Sequence, residues 1–457
     1  MKKTISDGLG KGAKLLIWNV LIGPRLWPVV IIVGIYLAVG VLYAVYTPPW
    51  QVPDEPAHYN YIAQVAEEGC CPVIEPGDYD QERLSQLTSA GFPDDADLSA
   101  IEYEDWQPPA YYVAALPVFL LGDGSLLAVR LFSVVLGGVV VALTYFTVLR
   151  LLPNHRPIAI GAALFVGFVP QHVAMLAGVN NDSLSELILG LTLLVLVAYI
   201  GGARRPHPAI LGVLVGAAFL TKLPAAFGAV LVVIAILWRW RAEQQPFGWL
   251  LAQIAWAVGL AAVIGLVWWA RNAAAYGWPD VLAWQAHNAV VVGQPRTADW
   301  IAESGFIGHL RFLLTTTFHS FWGQFGWMGV PMPLRDYRIL GLFCGWAIIG
   351  LVILPWRSCR LFGWQRAGLW ILGVLLVLTL AGYGAYNWTF VQAQGRYLFP
   401  AMTALGLLAA GGAYGWGARL ERWLGGRLVG WLPVLALAWL PLYDVWALFR
   451  YVIPNLA

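Results

Sequence analysis

Charged side chains are scarce in this chain: Asp, Glu, Lys and Arg make up 11% of its 457 residues, while 60% are hydrophobic. That balance excludes an ordinary soluble domain, in which about a quarter of the residues are charged. Cysteine is equally rare, with 4 in all, and the spacings that hold zinc do not occur. Cys70 and Cys71 are neighbours and could form a strained vicinal disulfide, although two free or separately paired thiols are the favoured expectation; Cys344 and Cys359 read as structural. A Gly-rich phosphate loop and a basic stripe are both missing, which removes nucleoside triphosphates and nucleic acid from the candidate partners. The first residues carry lysines but no small-residue cleavage site behind a short apolar core, so no cleaved signal peptide is expected.

What remains is long apolar runs, and about 20 such residues cross a bilayer as a helix. About eleven are expected, near 28–46, 125–151, 158–178, 184–202, 208–222, 224–240, 249–270, 339–355, 368–386, 398–418 and 430–450. Lys222-Leu223-Pro224 breaks the fifth from the sixth. The expected fold is an all-α polytopic membrane protein with a cytoplasmic segment over 1–27 and a transmembrane core over 28–272. That core holds a first outer loop at 47–124; a second outer loop follows at 273–338, then C-terminal helices over 339–457. Both outer loops are longer than the usual helix connection and are expected to contain short interfacial helices.

The bases orient this arrangement. With the N-terminus inside, Lys2, Lys3, Lys11, Lys14, Arg25, Arg150, Arg156, Arg204, Arg205, Arg239, Arg241, Arg357, Arg360, Arg366, Arg419, Arg422 and Arg427 all fall on the cytoplasmic side. The acids segregate the other way: 14 of the 25 acidic residues lie in 47–110, beside a single base, Arg83. Within that stretch, residues 54–69 read as a short helix entered through Pro53. Residues 110–122 read as a second, too short to span. The second outer loop is rich in aromatics, including Ser320-Phe321-Trp322-Gly323-Gln324-Phe325-Gly326-Trp327. These suit an interfacial belt, or stacking against a sugar or lipid tail.

Four sets of residues can carry chemistry. Asp54 and Glu55 stand at a helix start, where the helix dipole favours an ionised carboxylate, with His58 one turn on. Such a carboxylate is what a general base requires, although acids at a helix start are also ordinary surface charge. Asp182, in Asn180-Asn181-Asp182, is a second acid at a span end; it or Ser183 can equally cap the next helix, Ser183 with Glu186 as a capping box. Lys222, Arg271 and Arg396 fall at the outer ends of spans, at one membrane depth, where an anionic phosphate would meet all three. Alone, each is explained by snorkelling to the headgroups. Arg130 and Gln394 are weaker members of the same layer. Together these ask for a lipid phosphate as leaving group and a nucleophile activated by a carboxylate.

In chain order, Pro53-Asp54-Glu55, Gln107-Pro108-Pro109-Ala110-Tyr111-Tyr112, Ala128-Val129-Arg130-Leu131, Asn181-Asp182, Leu220-Thr221-Lys222 and Trp268-Trp269-Ala270-Arg271-Asn272 resemble the GT-C superfamily of membrane glycosyltransferases. These include the dolichyl-phosphate-mannose protein mannosyltransferases and the lipid A aminoarabinose transferases. Pro-Asp-Glu-Pro-Ala-His with Gln394-Gly395-Arg396-Tyr397 is similar to a less characterised bacterial branch. Gln107 stands where that motif usually begins with histidine. The resemblance implies an inverting transfer from a polyprenyl-phosphate sugar to a glycan, lipid or protein acceptor on the outer face of the cell membrane. It implies Asp54 as base, Glu55 as its orienting neighbour, and Lys222, Arg271 and Arg396 as phosphate ligands, with His58, Tyr111, Tyr112, Arg130, Asp182 and Gln394 in support. Some members use a divalent metal with diphosphate donors; lysine and arginine suffice for a monophosphate, so no cofactor and no metal site are expected. Two other classes remain. A carrier for lipid-linked sugars would expose ionisable groups along a path through the membrane, whereas these spans hold few, chiefly Asp444, with Arg450 as a candidate partner. A binding-only relative would keep the motifs without turnover.

Overall fold

The computed structural model describes residues 26–202, 205–354, 361–424 and 427–456. Lys2, Lys3, Lys11, Lys14, Arg25, Arg204, Arg357, Arg360 and Cys359, and with them the segment 1–25, lie outside the described residues, as do the side chains of Arg422 and Arg427. Among the described residues, regular structure is helical apart from one hairpin, β1 (Gln324–Phe325) paired with β2 (Val330–Pro331), and an isolated bridge between Arg296 and Phe390. Among the described residues, nine helices are long and apolar enough to cross a bilayer.

The first, α1 (Trp27–Tyr46), has 20 residues, about 30 Å of rise, and a proline in its opening turn removes one of the N–H groups that a helix start leaves unpaired. Three helices follow in the first long loop: α2 (Glu55–Glu67), α3 (Gln81–Ser89) and α4 (Ala110–Leu121). The first and third match expectation. The middle one is additional, capped by Asp80, whose carboxylate accepts from the N–H groups of Glu82 and Arg83 at 2.9 and 3.0 Å. Then come α5 (Leu126–Leu151), and α6 (Arg156–Gly167) with α7 (Pro170–Leu176), a pair bent by 63° that makes a tenth span if counted as one. Pro170 has no N–H to give Val166, and His172 Nδ1 takes over that carbonyl at 2.7 Å.

The helix α8 (Asp182–Gly201) is followed by α9 (Pro208–Phe219), where the expected span at 208–222 is corrected. It has 12 residues, about 18 Å, which is short of the ~30 Å hydrocarbon layer. The chain turns at Leu220–Lys222 into α10 (Leu223–Ala242), which Pro224 opens. Next are α11 (Phe247–Tyr276), α12 (Trp284–Val290) and α13 (Thr297–Trp322); the last is broken at Gly305, whose φ is 73°. The remaining spans are α14 (Leu334–Ile353), α15 (Gly363–Thr389), α16 (Gly395–Glu421), which begins as a 3₁₀ turn, and α17 (Val429–Leu456). Helices α14 and α16 touch through backbone: a Cβ on Gly412 or Gly415 would collide with the carbonyls of Ala347 and Gly350. In α17, Asp444 is fully buried and its carbonyl, not Arg450, meets a partner, the hydroxyl of Tyr43 at 3.1 Å.

The two long loops meet at one end of the bundle. The Trp327 indole donates to the carbonyl of Trp50, and the Trp106 ring packs edge-on against Trp284. Cys70 and Cys71 are bonded to each other there, the less favoured of the two expected arrangements.

A buried ion pair organises that end. Arg130, in α5, donates from Nε and Nη2 to the two carboxylate oxygens of Glu55 at 2.8 and 2.6 Å. Its remaining hydrogens go to the carbonyls of Ala44, Thr47 and Pro48. Glu55 also accepts from the N–H groups of Val179 and Trp50. Its exposure is 0% and that of Arg130 is 3%. Glu55 is therefore corrected from a catalytic to a structural residue: both oxygens are saturated and neither is reachable. Glu55→Gln strands a buried guanidinium and should cost about 3–5 kcal/mol. In thermal unfolding of detergent-purified protein followed by tryptophan fluorescence, it should melt well below wild type, whereas the exposed Glu67→Gln should not; equal melting of the two would remove this role.

Candidate active site

Asp54 precedes α2 with left-handed backbone, φ 66° and ψ 0°, a conformation that costs a non-glycine residue free energy. Its carboxylate does not cap the helix. It turns instead to Tyr103, whose hydroxyl donates to Oδ1 at 2.8 Å, and to Arg396, whose Nη2 donates to Oδ2 at 2.7 Å. Burial opposes ionisation of this carboxyl, but the Arg396 charge, with the hydrogen bonds from Tyr103 and Arg396, outweighs it and holds Asp54 below the usual range.

Arg396 reaches this place because Gly395 lets the 3₁₀ turn lie against α13. A Cβ on Gly395 would strike the backbone of Phe321, and the Gly395 N–H donates to Ser320 Oγ at 2.7 Å. The Arg396 side chain is 10% exposed, and its Nε–H is buried without a hydrogen-bond partner. Beside it stands a second ion pair, Lys222 Nζ to Asp182 Oδ1 at 2.6 Å, both side chains about a quarter exposed at 22% and 27%. Neither Asp182 nor Ser183 caps α8. Asn180 Oδ1 accepts the Asp182 N–H, and Glu186 pairs with His172 instead of completing a capping box.

His58 lies among these charges, its Nδ1 2.9 Å from the Tyr112 hydroxyl. Burial, reinforced by the Lys222 charge, pushes its pKa down to about 3, so it is neutral at physiological pH, with one ring nitrogen a donor and the other an acceptor. Tyr112 stacks on Tyr61 with centroids 3.6 Å apart, and Tyr111 bonds Ser133 at 2.8 Å. Asn181 Nδ2 donates to Gln107 Oε1 at 3.3 Å. The Gln-Pro-Pro-Ala-Tyr-Tyr motif is thus a polar floor joining His58 to the Asn181-Asp182 turn.

Two expected members stand apart. Arg271 donates to the carbonyls of Cys71 and Pro72, to Asn272 Oδ1 and to the Tyr276 hydroxyl, and lies over the Trp268 ring. It fastens the first loop to the end of α11, with Nη1 and Nη2 each engaged by two partners. Gln394 bonds Gln392 at 2.9 Å and touches neither ion pair. Conversely, Tyr103 and Glu104 were not singled out from the sequence, although the run Glu102-Tyr103-Glu104-Asp105 directly ahead of Gln107-Pro108-Pro109 was a signal for them. Burial, with the nearby Asp54 charge, pushes the Glu104 carboxyl up to about 8, and its Oε2 is buried without a partner. Burial likewise raises Asp105 to about 8. Among the described residues, no three His, Cys, Asp or Glu side chains converge as metal ligands.

Residues 106–269 match the family model described as dolichyl-phosphate-mannose-protein mannosyltransferase. No curated protein sequence matches the chain. Among solved structures, ArnT from Cupriavidus metallidurans bound to undecaprenyl phosphate is similar at TM-score 0.51 and 14% identity, over 95% of this chain and 74% of that one. The Archaeoglobus fulgidus oligosaccharyltransferase tethered with an acceptor peptide is similar at TM-score 0.49 and 11% identity, over 93% of this chain and 55% of that one. This chain therefore spans about half the length of the oligosaccharyltransferase. It has the GT-C superfamily fold.

Glu104 gives a measurable pH signature. The folded protein holds a proton from its ordinary value of 4.5 up to about 8, a range in which the unfolded chain releases it. Its contribution to stability is full below the lower value and lost as pH rises to the upper one. Glu104→Gln does not titrate, so its melting temperature should gain on wild type steadily across that window; a constant difference between pH 4.5 and 8 would show that Glu104 ionises normally.

Proposed function

We propose that this GT-C-fold membrane protein transfers a sugar from a polyprenyl-phosphate carrier to an acceptor on the outer face of the cell membrane. Asp54 is the base, and Lys222 and Arg396 are the donor-phosphate ligands. The observation that carries this reading is the unpartnered, buried Nε–H of Arg396 beside a carboxylate. A cationic donor left unsatisfied is costly and suits an anion with several acceptor oxygens. Lys222, with three donors, spends one on Asp182, which leaves two for the same phosphate. ArnT, of the same fold, is described with undecaprenyl phosphate bound, a ligand of this class.

In the transfer, the acceptor oxygen or nitrogen attacks the anomeric carbon from the side opposite the phosphate. Its proton passes to Asp54, and the bond from the anomeric carbon to the phosphate oxygen breaks with its electron pair going to the phosphate. The products are the glycosylated acceptor with inverted configuration and the polyprenyl phosphate, which the two cations stabilise as its second charge develops. A cavity of about 110 Å³ is lined by Asp78, Tyr79, Asp80, Arg83 and Tyr103; Tyr103 bonds Asp54, and this reading assigns the cavity to the acceptor. The outer face is supported by the bases: Arg150 lies 20 residues along α5 from Arg130, about 30 Å away at helical rise. Two cations neutralise a monophosphate, so the scheme calls for no metal.

The test is purified full-length protein in nanodiscs with a panel of radiolabelled polyprenyl-phosphate sugars. Asp54→Asn should lower transfer by about 10²–10⁴-fold, the usual worth of a general base, while donor binding persists. Transfer should continue in EDTA. Full activity of the variant would remove Asp54 as base, and passage of labelled lipid across vesicles without turnover would favour a carrier.

A further inference from the structure

Arg396 has two claims on it. The proposed function gives it to the donor phosphate, and the structure gives it to Asp54, the group that must act as base. A carboxylate paired with a guanidinium is a poor proton acceptor, so the two roles conflict unless one contact replaces the other.

The geometry of the pair shows which gives way. Arginine binds an oxyanion best through two parallel N–H groups. Here Arg396 reaches Asp54 through Nη2 alone, 2.7 Å from Oδ2, while Nε–H is buried without a partner. Asp54 does not complete the fork: its other oxygen faces the Tyr103 hydroxyl at 2.8 Å, and Arg396 Nε–H meets neither oxygen. A phosphate, with at least two free oxygens, can engage both N–H groups at once.

We propose that the donor's phosphate draws Arg396 off Asp54, so that the base is released only when a donor is seated. This rests on the function proposed above. Once Arg396 turns to the phosphate, Asp54 keeps Tyr103 and its burial. Burial is the largest influence on this carboxyl and opposes its charge, so its affinity for a proton rises. The other titratable groups facing Asp54 are His58 on α2, Tyr103 and Glu104 on the loop before α4, Tyr79 before α3, Tyr386 on α15 and Tyr397 beside Arg396. None of these is a cation, and Lys222 in the neighbouring pair is held by Asp182 at 2.6 Å. His58 is neutral, and Glu104 is already protonated below about 8. The site thus withholds a competent base until the anion arrives, which disfavours proton abstraction from water or acceptor in the absence of donor.

The consequence is proton uptake coupled to phosphate binding. The probe is farnesyl methyl phosphate, a diester that stays a monoanion across the range and carries no sugar to transfer. Its binding to the full-length protein in nanodiscs is measured by calorimetry between about pH 4.5 and 6.5, in buffers of different ionisation enthalpy, which reports protons taken up. Wild type should take up a substantial fraction of a proton per bound diester. Asp54→Asn should take up none and bind the diester several-fold more tightly, because the competing carboxylate is gone. His58→Gln and Glu104→Gln should keep the uptake. Binding without uptake, or uptake that survives Asp54→Asn, overturns the proposal while leaving a donor-phosphate site intact. No binding of the diester to wild type overturns the donor-phosphate reading and this proposal with it.

Discussion

The arrangement of the loop-bearing end depends on one buried contact, the two-pronged pairing of Arg130 with Glu55. Each partner is an expensive group to remove from water, and each is fully occupied: the guanidinium by one carboxylate and three carbonyls, the carboxylate by one guanidinium and two backbone amides. The contact joins the end of α1, the turn that follows it, the start of α2, the interior of α5 and the turn before α8. A network satisfied to this degree admits one arrangement, since any slip leaves a buried charge unmatched.

From that fixed point the site follows by direction. With Glu55 pulled inward, the left-handed backbone at Asp54 turns the preceding carboxylate the opposite way, towards α16. Two carboxylate–cation pairs then stand side by side, Asp54 with Arg396 and Asp182 with Lys222, over a floor of tyrosines and a neutral histidine. Neither pair has the closed geometry of the Arg130–Glu55 contact. Both are partly open, one has an idle N–H, and the second uses one ammonium hydrogen of three. The contrast between a saturated pair that builds and unsaturated pairs that can exchange partners separates scaffold from chemistry within a few residues of sequence.

Much of this was legible in the chain and some was not, for physical reasons. Long apolar runs and segregated charges give the membrane class and the two loops, because a bilayer imposes length and polarity on any helix that crosses it. Asp54, Lys222 and Arg396 could be grouped because span ends share a depth. Depth, however, is one coordinate of three, and Arg271 shares it while facing the carbonyls of Cys71 and Pro72. Asp54 and Glu55 are nearly equivalent as letters; what divides them is a single backbone dihedral that composition and periodicity do not encode. Tyr103 and Glu104 lay in a run of acids that looked like solvated surface, and their burial depends on packing between distant segments. The helix Pro208–Phe219 passed as a span because hydropathy counts residues through Lys222, whereas the backbone turns before it.

The glycine at 395 sets a limit on how the site can respond. Its Cα lies where a side chain would strike Phe321, and its N–H is held by Ser320, so the turn carrying Arg396 is fixed to α13. Exchange of Arg396 between a carboxylate and an incoming anion therefore falls to the torsions of its own side chain. Such a change needs no collective domain motion, which runs over microseconds to milliseconds. A site built this way can register its ligand without moving backbone.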